Sequence, residues 1–144
     1  MTLLEIARLF KHVREAQPNR GQRVEGIIRW GGGEPGDSWC CFMLTMWLDL
    51  FYQGNSPIPR TGVCQEVLDL ARKNGWIITA PEVGCIVLSV NDQGHAHHIA
   101  LCIFPKPLST IAGNTSEDGL SSNGDRVAEH TVSSAGKVFV RLPR

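Results

Sequence analysis

The chain has 144 residues, 42% of them hydrophobic, and its 14 basic and 14 acidic side chains leave a formal net charge of zero. That length suits one domain, expected to span residues 1–144, which buries about 70% of its unfolded surface without disulfide or metal staples. The charge balance argues against tight non-specific nucleic-acid binding, and no apolar run approaches the roughly 20 residues of a membrane span, so neither partner is expected.

Met1-Thr2-Leu3-Leu4-Glu5 lacks a basic segment leading into an apolar one, so no secretory signal is expected. The protein is then made in the cytoplasm and reaches any outside target by release or delivery. The cysteines at 40, 41, 64, 85 and 102 form no C-x-x-C pair and read as free thiols of a reducing compartment.

Thr2 and Glu5 have capping-box spacing, and Ile6, Leu9, Phe10 and Val13 follow at helical intervals. Pro18-Asn19-Arg20-Gly21 ends that helix. A second runs from about Val24 to Trp30 and stops at Gly31-Gly32-Gly33-Glu34-Pro35-Gly36. Asp37 or Ser38 is placed to cap a third helix reaching about Tyr52, apolar on most sides and therefore expected at the centre of the core. A fourth, from about Val63 to Asn74, is closed by Gly75. Beyond Trp76 the chain turns β-rich, with runs at 85–90, 97–104, 109–112, 126–132 and 137–142, separated by turns at Asn91-Asp92-Gln93-Gly94 and Ser121-Ser122-Asn123-Gly124-Asp125. Helices first and strands afterwards predict an α+β domain with a small antiparallel sheet.

Cys40 falls in the first turn of the third helix, directly after the glycine-rich loop. Unpaired N–H groups and the helix dipole favour negative charge there, so a lowered thiol pKa and an oxyanion site are expected. The competing reading of a cysteine so placed is a buried structural residue. Asp37 lies close enough to oppose thiolate formation, and either caps the helix or orients substrate. Strand alternation puts His98, Ala100 and Cys102 on one face, with His97, Ile99, Leu101 and Ile103 on the other. His98 then begins a core strand beside a small residue, whereas His95 and His97 lie nearer the turn and in solvent. His95 and His97 share a face and admit a zinc reading, but no further ligand stands at a recognisable spacing, so no metal and no cofactor is expected. Asn114, after a short apolar run, is placed to hydrogen-bond a histidine and fix its tautomer.

Ser38-Trp39-Cys40-Cys41-Phe42 resembles the W-C-A-x-F signature of CHAP domains (cysteine, histidine-dependent amidohydrolases/peptidases), which belong to the papain-like group with the NlpC-type cell-wall peptidases. His98-Ile99-Ala100-Leu101-Cys102 resembles their G-H-V-G-I-V strand, and Ala112-Gly113-Asn114-Thr115 their E-G-N-T segment. Asn19-Arg20-Gly21, Pro59-x-Thr61, the helix end Ala71-Arg72-Lys73-Asn74-Gly75 and Gly124-Asp125-Arg126-Val127 look like members found in phage lysins, so the likeness covers about residues 3 to 142. The chain departs from the pattern at His97, Ala100 and Cys85, where glycine, glycine and aspartate are usual. It departs also at Ala112, where an acidic residue often stands, and at Cys41, usually alanine and read here as a small buried residue.

The resemblance implies a papain-like fold and a cysteine hydrolase of peptidoglycan, acting as endopeptidase or N-acetylmuramoyl-L-alanine amidase through a thioester. Its catalytic residues would be Cys40, His98 and Asn114, with Asp37 and Trp39 at the substrate. The alternatives are an effector toxin with amidase or deamidase activity, made beside an immunity protein, and a catalytically silent papain-like binding domain in a phage assembly.

Overall fold

The computed structural model describes residues 1–115 and 125–143. Four helices come first: α1 (Leu3–Arg8), α2 (Gln22–Trp30), α3 (Cys40–Phe51) and α4 (Cys64–Asn74). The strands follow: β1 (Ile77–Ile78), β2 (Ile86–Val90), β3 (Ala96–Pro105), β4 (Leu108–Thr115), β5 (Arg126–Thr131) and β6 (Lys137–Val140). They form one antiparallel sheet in the order β1-β6-β2-β3-β4-β5, so the molecule is α+β, as its pattern of elements predicts.

The capping box at Thr2 is present, with Thr2 Oγ1 accepting from Glu5 N at 3.1 Å and Glu5 Oε1 from Thr2 N at 3.0 Å. The helix it opens is shorter than the spacing of Ile6 to Val13 suggests. After Arg8 the chain tightens into three-residue turns, and Val13 O accepts from Val127 N at 3.1 Å while Arg14 bridges to Arg126. Pairing with the β5 edge thus takes backbone groups a longer helix would have used, and Val13 still reaches the core at 2% exposure. The cap expected for α3 is also different. Trp39 occupies the cap position and makes no side-chain cap hydrogen bond. Asp37 Oδ2 instead accepts from Glu34 N at 2.9 Å, closing the glycine-rich loop on itself. Gly75 ends α4 in the left-handed region, at φ 69°, where its missing Cβ removes the steric penalty.

The strands lie within a few residues of their predicted positions, and β1, two residues long, is an addition. Asn91 Oδ1 accepts from both Gln93 N and His95 N at 3.0 Å, fixing the β2–β3 turn. The turn expected at Ser121 to Gly124 lies outside the described residues.

Burial follows the pleat. Ile86, Leu88, Ile99, Leu101 and Ile111 join Met43, Leu44, Trp47 and Leu48 of α3 in the main core, whereas Cys85, Val87, Cys102, Leu108 and Phe139 form a second cluster. Each large side chain fully buried in this way contributes about 1.5–3 kcal/mol. Glycines admit the start of α3 to this core. A Cβ on Gly113 of β4 would lie 2.9 Å from both Met43 Cβ and Trp39 Cζ3, and one on Gly31, Gly33 or Gly62 would collide with the Phe42 ring. Gly62→Ala and Gly113→Ala are each expected to cost about 1–3 kcal/mol through overpacking. Urea unfolding would show this as a lower midpoint at unchanged slope, and a wild-type midpoint would contradict the close approach.

Candidate active site

Cys40 is the first residue of α3 and only 3% exposed. The helix lacks a side-chain cap, and the N–H of Met43 reaches back to Trp39 O at 2.9 Å. The amides ahead of it in the first turn therefore remain available to an incoming anion.

His98 is brought to Cys40 by β3. The β2–β3 register pairs Ser89 with His98 but Val90 with Ala96, so His97 is an extra residue in a bulge. A bulge interrupts strict alternation and re-aims side chains, and here it sits immediately before His98. Gln65, in the first turn of α4, fixes the start of the strand by accepting from Ala96 N at 2.8 Å. The half-buried His98 imidazole has a polar contact with the Cys40 thiol, and its Nδ1 is buried with no hydrogen-bond partner among the described residues. His95 and His97 are exposed.

Asn114 is fully buried and left-handed, at φ 54°, a conformation asparagine tolerates better than most residues. It lies where the β4–β5 register shifts, between Ala112 and Thr115. Its hydrogen bond does not go to His98, however. Asn114 Nδ2 donates to Ser38 Oγ at 2.8 Å, and Oδ1 is buried without a partner among the described residues. Asn114 thus joins β4 to the residue two before Cys40, and the bond expected between it and His98 is replaced by this one.

The two residues expected at the substrate have different places. Asp37 is exposed and bonded to its own loop, while Trp39 is 0% exposed. Trp39 Nε1 donates to Glu15 Oε2 at 2.8 Å, and the ring packs on Gly113. Trp39 therefore anchors the helix start from within the core and offers substrate no surface. Phe42 likewise sits in its glycine socket. In the W-C-A-x-F spacing the aromatic stands three residues after the cysteine, which is Met43 in this chain.

The neighbour that sequence reasoning missed is Cys64. It is the first residue of α4, and its Sγ lies 3.8 Å from Cys40 Sγ. The two positions are 24 apart in the chain, and nothing local signals that the two helix starts meet. Glu15 and Gln65, which hold Trp39 and the start of β3, were missed for the same reason.

This surrounding reverses the electrostatics expected at Cys40. The contact with the Cys64 thiol and the loss of water push the Cys40 pKa well above its usual value, and the His98 contact only partly opposes them. Magnitudes decide the outcome. A helix N-terminus is worth at most about 2 kcal/mol, near 1.5 pKa units, whereas full burial shifts a group by up to about 3–5 units. The Cys40 contact lowers the Cys64 pKa, but the contact with Cys41 and burial outweigh it and raise the thiol. The resting site is a neutral dithiol beside an imidazole.

Among the described residues no group of three or more His, Cys, Asp or Glu side chains is placed to hold a metal ion, and no helix is long and apolar enough to cross a membrane. A groove of about 1190 Å³ between α1, Val83 and Arg141 does not include Cys40 in its lining. No known family model matches the chain, and no curated protein matches it.

Removing the Cys64 thiol takes away the largest influence raising Cys40. Cys64→Ala is expected to lower the Cys40 pKa and speed its alkylation by iodoacetamide at pH 8. In wild type the rate should still be rising above pH 9, because the thiolate is the reacting form and a raised pKa delays its appearance. Unchanged rate and profile in the variant would show that Cys64 does not govern the thiol.

Proposed function

We propose that the chain is a papain-like, CHAP-type cysteine hydrolase of amide bonds, with Cys40 as nucleophile, His98 as general base and Asn114 as the residue that organises the site, and peptidoglycan as its substrate class. The observation that carries this reading is the meeting of Cys40, at an uncapped helix N-terminus, with His98, whose buried Nδ1 has no hydrogen-bond partner among the described residues. The substrate class rests on the motif resemblance.

Because the thiol is neutral at rest, the first step is base-assisted. His98 takes the thiol proton as sulfur attacks the amide carbon, and the first-turn amides of α3 hold the oxyanion. The imidazolium then protonates the leaving amine, giving a thioester. Water, deprotonated by His98, hydrolyses that thioester and restores the thiol. Moving a proton from sulfur to imidazole creates charge only when substrate has arrived, which suits a site that keeps its nucleophile buried. Asn114 acts through position. Held by Ser38, it leaves its amide oxygen free to accept the N–H of the imidazole.

Turbidity clearing of purified crosslinked peptidoglycan tests the reading. Wild type should clear it, and Cys40→Ala should not, with circular dichroism unchanged. Asn114→Ala should reduce kcat on the order of 100-fold, the usual cost of misplacing a catalytic group. The burial of Cys40 favours one rival, a silent binding domain on the same fold. Failure of folded wild type to clear walls from several bacteria would decide for that rival.

A further inference from the structure

We propose that Cys40 and Cys64 form a reversible oxidation site, at which a hydroperoxide joins the two thiols as a disulfide and caps the nucleophile. The pairing rests on where the two sulfur atoms lie. Its inhibitory consequence rests on the reading of Cys40 as nucleophile.

The two thiols stand at the first residues of two different helices, α3 and α4, so the chain brings them together only by packing those helix starts. Their sulfurs are 3.8 Å apart, and a disulfide needs about 2.05 Å, so closure requires an approach of about 1.7 Å. Both side chains are buried, at 3% and 7% exposure, which favours a small oxidant over a bulky one. His98, beside Cys40, serves the oxidation as it serves hydrolysis by taking the thiol proton. Cys41 also contacts Cys64 and is the competing partner.

The chemistry balances without further reagents. The Cys40 thiolate attacks one peroxide oxygen; the S–O bond forms as the O–O bond breaks, and the departing hydroxide becomes water with the proton held on His98. Cys64 sulfur then attacks the sulfenic sulfur. The S–S bond forms, the S–O bond breaks, and the second hydroxide leaves as water with the Cys64 proton. Two thiols lose two electrons to the peroxide, giving a disulfide and two waters. A dithiol reductant reverses the change by exchange.

Trypsin cleavage after Arg60 separates the partners, placing Cys40 and Cys41 on the peptide 30–60 and Cys64 on 61–72, while Cys85 and Cys102 fall together elsewhere. The whole protein is treated with hydrogen peroxide, alkylated without reduction, digested and analysed by mass spectrometry. The expected product is 30–60 linked to 61–72, lost on dithiothreitol treatment and absent in Cys40→Ser but present in Cys41→Ser. In Cys64→Ala the same oxidation should run on to sulfinic and sulfonic acid at Cys40, which dithiothreitol does not restore. A link that survives in Cys40→Ser would assign the bridge to Cys41 and overturn the proposal. So would wild type in which Cys40 is over-oxidised or unmodified and no 30–60 to 61–72 link appears. Neither readout needs hydrolytic activity, so loss of the bridge and loss of the enzymatic reading are told apart. If both hold, peroxide should abolish peptidoglycan clearing and dithiothreitol should restore it.

Discussion

The start of α3 lies against the sheet because Gly113 presents no side chain to it, and the candidate site depends on that approach. Trp39 and Met43 fill the space a β-carbon would occupy, and Phe42 is received by Gly31, Gly33 and Gly62. With the helix start held on three sides by backbone, Cys40 has little freedom to move relative to β3 and β4. The polar ties run to the same point: Trp39 to Glu15, Ser38 to Asn114, and Gln65 to the backbone at the beginning of β3. Rigid placement of this kind reduces what substrate binding must spend on orientation.

Close packing carries an electrostatic consequence. The approach that positions Cys40 also excludes water and seats it against another thiol, so the ground state is neutral despite the helix N-terminus. The Cys64 contact and desolvation together outweigh the dipole here, because they act on the whole charge of a buried thiolate, while the dipole's influence is confined to partial charges at the helix end. Cys102 follows the same rule away from the site, where burial beside Cys85 pushes its thiol up to about 12. Among the described residues the site also contains two buried polar atoms without partners, His98 Nδ1 and Asn114 Oδ1. Each unsatisfied group costs about 1–3 kcal/mol.

The sequence by itself determined the α+β class, the helices and strands of the main layer, and the elements that carry Cys40 and His98. Local rules suffice for these: a capping box at Thr2, apolar periodicity in α3 and α4, glycine at 75, alternation along β3. Cys40 was legible as the start of a helix after a glycine-rich loop, and His98 as the polar start of a core strand. The errors share one cause. The first helix ends at Arg8, short of Val13, because β5 claims the next backbone groups, and α3 lacks the expected cap because Asp37 is used by its own loop and Ser38 by Asn114. Only the tertiary structure decided that Trp39 is an internal anchor, that Asn114 bonds to Ser38, and that Cys64 stands beside Cys40. Such contacts join residues 24 to 76 positions apart, and no periodicity or local propensity encodes which distant group will occupy the space beside a given side chain.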